Sequence, residues 1–224
     1  MRAVKINKIL FSKRNTLSIE ISHDASLIVR APKQTPLKLI KEFVDKKRFW
    51  IEDKQKIARK KYCEAAPKKF VNGEGFLYLG KVYRLLIANN GHSPLYFNQE
   101  FQLRDNCRNN ARRLFTNWYK NQAYQIIYQK VNYFGLLYGF KHNQVGITSA
   151  KKRWGSCNLK GDLHFSWRLI MAPSNIIDYV VVHELIHLEE KNHSGNFWNK
   201  VKKIIPGYQK PQKWLKDNGH LLTI

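Results

Sequence analysis

Cysteine is scarce in this sequence, and the three that are present, Cys63, Cys107 and Cys157, form no C-x-x-C pair. This spacing argues against a disulfide framework and against a zinc finger built from cysteines, and it fits a reducing compartment. Long apolar runs are also missing, since no stretch approaches the roughly 18 residues of a membrane-spanning helix. The first fifteen residues alternate apolar residues with Lys and Arg, unlike the apolar core of a secretory signal. We therefore expect a cytoplasmic protein that does not span a membrane.

Acidic residues are few, with 16 Asp and Glu against 40 Lys and Arg and a formal net charge of +24. Such a surplus predicts a polyanionic partner, either nucleic acid or a protein bound to it. The surplus lies mostly in residues 1–150, which hold 28 basic residues against 10 acidic ones. Four arginines on one predicted helix are the candidate nucleic-acid contacts: Arg104, Arg108, Arg112 and Arg113. A solvated helix face accounts for the same four residues equally well.

The 224 residues are 43% hydrophobic, which is enough to bury a core, and their periodicity predicts an α+β protein. The predicted strands are 17–21 and 27–29, joined as a hairpin at 23–26, then 76–79, 81–87, 145–156 and 163–169. The predicted helices are one or two within 36–61, then 104–134, 175–188, 196–205 and 210–218. We expect a single domain over residues 1–224, with a β-rich lobe (1–100) and a helical part that also holds a β-hairpin (101–224).

The helix predicted at 175–188 contains the segment His183-Glu184-Leu185-Ile186-His187. A four-residue step puts both imidazoles on one face of a helix, about one turn apart, as two ligands of one zinc ion require. Glu184 lies about 100° round the helix, where it can act on a water molecule beside the metal. The alternative is two histidines hydrogen-bonded in a core, but burying them with a carboxylate among apolar residues would be costly. The pattern favours a zinc site with Glu184 as general base.

A catalytic zinc usually has three protein ligands and one open position. Glu190 is the last glutamate in the chain, and on a continuing helix it would lie about 10 Å from His183, too far to share an ion. Three candidates for the third ligand remain: His193, Asp217 and His220. His193 is preferred because it can swing back if the helix ends near residues 191–192, whereas His220 lies in an end segment.

Five residues outside the motif are candidates for contacts to a substrate or its oxyanion: Tyr208, Arg153, Trp154, Gly155 and Ser156. Gly155 lies in a predicted strand, where a missing side chain would let a substrate backbone approach. Tyr208 and Arg153 could donate hydrogen bonds to an oxyanion. Both residues also have a purely structural interpretation. Gly155 could form part of a turn, and Tyr208 could be an aromatic residue that packs in the core or at its rim.

Longer strings in the chain resemble one family of proteins. These strings are Lys152 to Cys157 (KRWGSC), Trp167 to Ile170 (WRLI), Ile177 to Leu188 around the two histidines, and Asn192-His193-Ser194 followed by Phe197-Trp198. Together they resemble the YgjP-like (DUF45) metallopeptidases, relatives of the WLM and SprT-like zincins. The resemblance implies a zincin-like fold with an N-terminal β-rich lobe, a long central helix and a C-terminal HExxH helix. It also implies one Zn²⁺ per chain, with His183, His187 and His193 as ligands and Glu184 as general base.

The pattern differs from that of a metzincin, because Glu190 replaces the turn glycine and both methionines, Met1 and Met171, precede the motif. The sequence therefore predicts a zinc metallopeptidase of another kind, acting on a peptide or protein substrate, with nucleic-acid-associated proteins as one class. The alternative is a basic nucleic-acid-binding protein with a structural zinc site. The presence of Glu184 argues against that alternative, since a structural zinc site needs no general base.

Overall fold

A computed structural model describes residues 4–22, 24–64, 66–89 and 93–224. The chain divides into two compact units, with the boundary between Ala66 and Pro67. Within the described ranges, none of the helices combines the length and the apolar character needed to cross a membrane. The single domain, with its lobe boundary at residue 100, stays a prediction.

The first unit consists of a three-stranded sheet and two helices. Its elements are β1 (Lys8–Ser12), β2 (Ser18–Ile21), β3 (Leu27–Pro32), α1 (Leu37–Lys46) and α2 (Arg48–Glu64). The predicted hairpin is present as β2 and β3, although residue 23 of its turn lies outside the described residues. The parallel strand β1 was not predicted, because its apolar residues do not alternate and its partner β3 lies twenty residues further on.

The second unit begins with a four-stranded sheet. Its strands are β4 (Gly75–Tyr78), β5 (Lys81–Ala88), β6 (Leu95–Phe97) and β7 (Phe101–Arg104), in the order β4-β5-β7-β6. The predicted pair β4 and β5 is antiparallel and turns at Gly80, whose φ of +79° is left-handed and suits glycine. Sequence periodicity missed β6 and β7, which are only three and four residues long.

Helix α3 (Ala111–Tyr138) is the longest in the described chain. It begins seven residues later than predicted, because Arg104 ends strand β7 and residues Asp105–Asn110 form a 3₁₀ turn. Every fourth residue from Ala111 to Gly135 is buried, so one stripe of the helix faces the core. The helix continues through Gly135 and ends at Tyr138, four residues later than predicted, where the left-handed Gly139, with φ of +77°, stops it.

A second three-stranded sheet precedes the helices that carry the histidines. Its strands are β8 (Val145–Thr148), β9 (Gly155–Cys157) and β10 (Leu163–Ser166), with β10 in the centre and β9 at an edge. The single strand predicted at 145–156 is therefore two strands joined by a loop over 149–154. The strand predicted at 163–169 is shorter, because residues Trp167–Met171 form a 3₁₀ helix.

Three helices complete the second unit: α4 (Ser174–Ile186), α5 (Gly195–Ile204) and α6 (Gln209–Asn218). Helix α4 is buried on most of its surface, as its sequence predicted, and packs against α3, α5, α6 and β9. The ammonium group of Lys130 on α3 contacts Asp178 at 2.5 Å and Ser174 at 2.9 Å. These contacts fix the helix that carries His183 and Glu184 against the longest helix of the unit.

Candidate metal centre and adjoining cleft

Helix α4 ends earlier than predicted, and this early end brings the third histidine back. The helix stops at Ile186 rather than at 188 or near 191–192. The N–H groups of Glu189 and Glu190 both donate to the Ile186 carbonyl, at 3.0 and 2.9 Å, so the chain turns at once. As a result, Nε2 of His193 lies 3.0 Å from Nε2 of His183.

The three histidines form one group, in which a ring nitrogen from each of His183, His187 and His193 lies within 4.8 Å of the others. In the described part of the chain, this is the only such group of three His, Cys, Asp or Glu residues. Asp217 and His220, the other candidates for a third ligand, are not in it. Tetrahedral zinc with bonds of about 2.0–2.1 Å sets its ligand nitrogens about 3.3 Å apart, so the donors present fit a zinc ion.

Surrounding residues hold the three imidazoles in place. The ring of Phe197 is fully buried, and its centroid lies 4.7–4.9 Å from all three imidazole centroids. Nδ1 of His187 donates to the Glu190 carbonyl at 2.9 Å, which leaves Nε2 of that ring free to bind a cation. Trp198 stacks on His193 with centroids 5.7 Å apart. The group is therefore pre-organised by packing and by one main-chain hydrogen bond.

Burial favours the neutral form of His183 and His187, which is the form that binds metals. Burial, assisted by the neighbouring His187 and His193, lowers the pKa of His183 to about 3. Burial also lowers the pKa of His187. Protons therefore compete weakly with a cation for these two nitrogens near neutral pH.

Glu184 is buried beside the histidines, with 5% of its surface exposed. Burial raises the pKa of this carboxyl to about 8, and the positive charge of Arg153 acts in the opposite direction. Its side chain lies directly against Gly155 of β9, where a Cβ atom would come within 2.5 Å of Glu184 Oε1 and Cγ. The structure thus gives a further reason for glycine at position 155: any side chain would displace the carboxylate.

A cleft of about 300 Å³ adjoins His183 and Glu184. Its walls come from residues 153–155, from α4 and from α6, which contributes Gln212 and Leu215. Three of the predicted substrate contacts, Arg153, Trp154 and Gly155, line this cleft. Such a cleft is at the small end of the range for ligand sites and could take one side chain of a substrate.

Two other predicted contacts lie outside the lining of the cleft. Ser156 follows in β9, paired with His164 of β10. Tyr208 stacks on Trp198, with centroids 5.1 Å apart and planes 15° apart.

Sequence reasoning missed Tyr179, which lines the cleft one helical turn before His183. Burial and the nearby Tyr208 and Glu184 raise the pKa of its hydroxyl to about 12, so it stays a hydrogen-bond donor. The signal available was its position four residues before the first histidine, on the same helix face.

The four arginines predicted to contact nucleic acid lie at the start of α3 or just before it, and two have partners. Arg112 donates to the main-chain oxygens of Ile224 and Lys68, at 2.5 and 3.3 Å. Arg108 pairs with Asp105 at 2.7 Å. Arg113 is exposed, and Arg104 is partly buried. Contact with nucleic acid stays a prediction, and Arg112 already serves the fold.

Comparison with known proteins places the chain in a family. The model of the YgjP-like metallopeptidase domain matches residues 15–218. Among solved structures, the crystal structure of the metallopeptidase zymogen of Pyrococcus abyssi abylysin is similar at 21% identity, with a TM-score of 0.37, over 40% of this chain and 92% of that one. No curated protein matches the chain. Because the family model spans all but the two ends of the sequence, this chain belongs to the YgjP-like metallopeptidases and is a metal-dependent peptidase.

Proposed function

We propose that this protein hydrolyses peptide bonds with one zinc ion held by His183, His187 and His193, and with Glu184 as the general base. The observation that carries the proposal is the convergence of three imidazoles on one point, with His183 and the buried side chain of Glu184 lining the same cleft. Zinc in such a site would supply Lewis acidity, which activates water and polarises a carbonyl. The direct test is proteolysis by the zinc-loaded chain, measured as new peptide termini by mass spectrometry.

Glu184 has the properties that a general base needs. Its carboxyl group faces the cleft from a buried position beside the grouped histidines, and the charge of a metal ion held there would favour its ionised form, which can accept a proton. The carboxylate can take a proton from the attacking water and later deliver it to the leaving amine. Gly155 keeps it in place by leaving room for its Cγ and Oε1 atoms.

Hydrogen-bond donors for a developing oxyanion are available on one wall of the cleft. Tyr179 lines the cleft and keeps its proton, and Tyr208 lies close enough to raise the pKa of Tyr179. A preorganised donor of this kind typically contributes about 100-fold to 1,000-fold in rate. We propose Tyr179 as the first such donor, with Tyr208 and Arg153 as further candidates.

Replacing Gly155 with Ala should lower peptide hydrolysis strongly while the chain still binds zinc. The new Cβ would overlap the Glu184 side chain at 2.5 Å, so the carboxylate must move away from its position in the cleft. Overpacking of this kind also costs about 1–3 kcal/mol of unfolding free energy. Turnover, zinc content and melting temperature of the variant measure the three effects separately.

Gly146→Ala is the matched control, because its Cβ would meet the His164 ring at 2.8 Å and neither residue lines the cleft. It should lose stability to a similar degree and keep its turnover. Equal losses of activity in both variants would show that Gly155 affects only folding.

We also propose that the protein substrates are associated with nucleic acid, which the charge of +24 supports. If so, the chain should bind DNA or RNA with little sequence preference, and salt should weaken binding with a log–log slope of about 0.9 per phosphate on duplex DNA. Replacing Arg108 and Arg113 with Gln should reduce that slope, whereas Lys202→Gln with Lys203→Gln on α5 is the control. If fluorescence anisotropy at low salt detects no binding, the substrates are not selected through nucleic acid. The same result would reject the alternative of a nucleic-acid-binding protein with a structural zinc.

A further inference from the structure

The cleft beside Glu184 contains one cationic side chain, Arg153, whose charge acts on the buried Glu184 carboxyl but which forms no ion pair with any carboxylate that the structure describes. Arg153 lines the cleft and is exposed, and it has no ion pair or hydrogen bond from its side chain to any residue that the structure describes. Glu184 is the only acidic residue lining the cleft, and it is almost fully buried. An anion that enters the cleft would therefore meet an available guanidinium group.

The backbone that presents Arg153 is anchored on both sides. Before it, the carbonyl of Ser149 accepts from Arg168 Nη1 at 3.0 Å, and that of Ala150 accepts from Ser166 Oγ at 2.7 Å. After it, the carbonyl of Trp154 accepts from the N–H of Ser166 at 2.8 Å. A guanidinium on an anchored backbone loses less conformational entropy on binding than one on a free loop. These contacts distinguish Arg153 from an ordinary surface cation.

The rest of the cleft wall is largely apolar. Trp154 packs against Gly219, where a Cβ would come within 2.7 Å of the indole Cζ2 atom. Val180 and Leu215 add aliphatic surface, and Gln212 adds one amide. An apolar side chain suits the interior of such a cleft, and a carboxylate close to that side chain would reach Arg153.

We propose that Arg153 determines specificity, selecting peptides that carry an acidic residue next to the apolar residue held in the cleft. This inference rests on the proposed peptidase function and names the substrate class of that same site. The guanidinium binds the carboxylate of the substrate in a charge-assisted, two-pronged geometry that Lys cannot reproduce.

The experiment compares pairs of peptides that differ only in charge. A peptide that the zinc-loaded full-length chain cleaves is identified from a mixed library. Asp or Glu, and the neutral isosteres Asn or Gln, are then placed at each position flanking the cleaved bond. At one position, the acidic peptide should have about a fivefold higher kcat/KM, mainly through KM, as expected for a partly exposed charge pair. Raising the salt concentration should reduce the preference.

Three variants test the assignment to Arg153. Arg153→Gln should abolish the preference, and Arg153→Glu should reverse it in favour of the neutral peptide. Lys152→Glu makes the same change of charge at the neighbouring exposed position, outside the cleft lining, and should keep the preference. The affinities of the same peptide pair for Glu184→Gln, measured by fluorescence anisotropy, report the preference without any need for turnover.

The outcomes separate this inference from the function on which it rests. Cleavage of peptides without any preference for an acidic residue would overturn the inference and leave the peptidase intact. An equal fall for both peptides in Arg153→Gln would also overturn it, because that result assigns Arg153 to the oxyanion. Loss of the preference in Lys152→Glu would show that the overall positive charge of this segment, and not Arg153 in particular, causes the preference for acidic peptides. If no peptide is cleaved, the proposed function fails, and this inference falls with it.

Discussion

Replacing Glu184 with Gln should lower peptide hydrolysis by about 100-fold or more, the scale on which a lost general base affects turnover. The amide has almost the same shape as the carboxylate but cannot accept a proton from water. The group of candidate metal ligands consists of three histidines and does not include Glu184. The zinc content and melting temperature of the variant should therefore remain near those of the unmodified chain. Turnover of a cleaved peptide, metal analysis and thermal unfolding of the same preparation measure these three quantities.

Glu189→Gln is a suitable control, because it makes the same change at an exposed glutamate that pairs with Lys200 outside the cleft. It should leave turnover unchanged. Unchanged turnover in Glu184→Gln would reject Glu184 as the base. Loss of folding in Glu184→Gln with zinc retained would instead favour a structural role for the metal site.

Replacing His187 with Ala should lower zinc affinity by more than the 10- to 100-fold that typically follows loss of a residue supporting a metal ligand. His187 offers one of the three grouped ring nitrogens, and its Nδ1 is already engaged by the Glu190 carbonyl. His183→Ala and His193→Ala should have effects of the same size. Competition with a zinc-binding dye gives the affinities, and turnover should be lost in all three variants.

His220→Ala and Asp217→Ala are the matched controls, because both residues were candidates for the third ligand and neither joins the group of three. Both should bind zinc as the unmodified chain does. If His193→Ala retained full affinity while either control lost it, the assignment of the third ligand would be wrong.

The sequence predicted the three grouped histidines because their relationship is local. His183 and His187 are one helical turn apart, and His193 follows within six residues, so helix geometry and one chain reversal are enough to bring them together. The position of the helix end was wrong by several residues, since the turn after Ile186 depends on main-chain hydrogen bonds rather than on a marked stop signal.

Features that depend on distant parts of the chain were not predictable. The cleft joins Trp154 to α6, some sixty residues later in the sequence, and the contact between Gly155 and Glu184 joins a strand to a helix. The hydrogen bond from the Arg112 side chain to the main-chain oxygen of Ile224 joins residues half the chain apart. The spacing of basic residues in the sequence does not indicate this structural role. Tyr179 was hidden for another reason, because it stands in an apolar run that also fits a buried helix.

Peptide-bond cleavage by a metal-dependent peptidase should be lost when the metal is removed and restored when it is returned. The purified full-length chain is stripped with a chelator, reloaded with zinc and incubated with a mixed peptide library, and new termini are counted by mass spectrometry at each stage. We expect new termini with the loaded chain, few or none after stripping, and their return on reloading, whereas loaded Glu184→Gln should produce them at a rate lower by about 100-fold or more. A loaded, folded chain that produces no new termini, or cleavage that persists in both the stripped chain and Glu184→Gln, would contradict the proposed function.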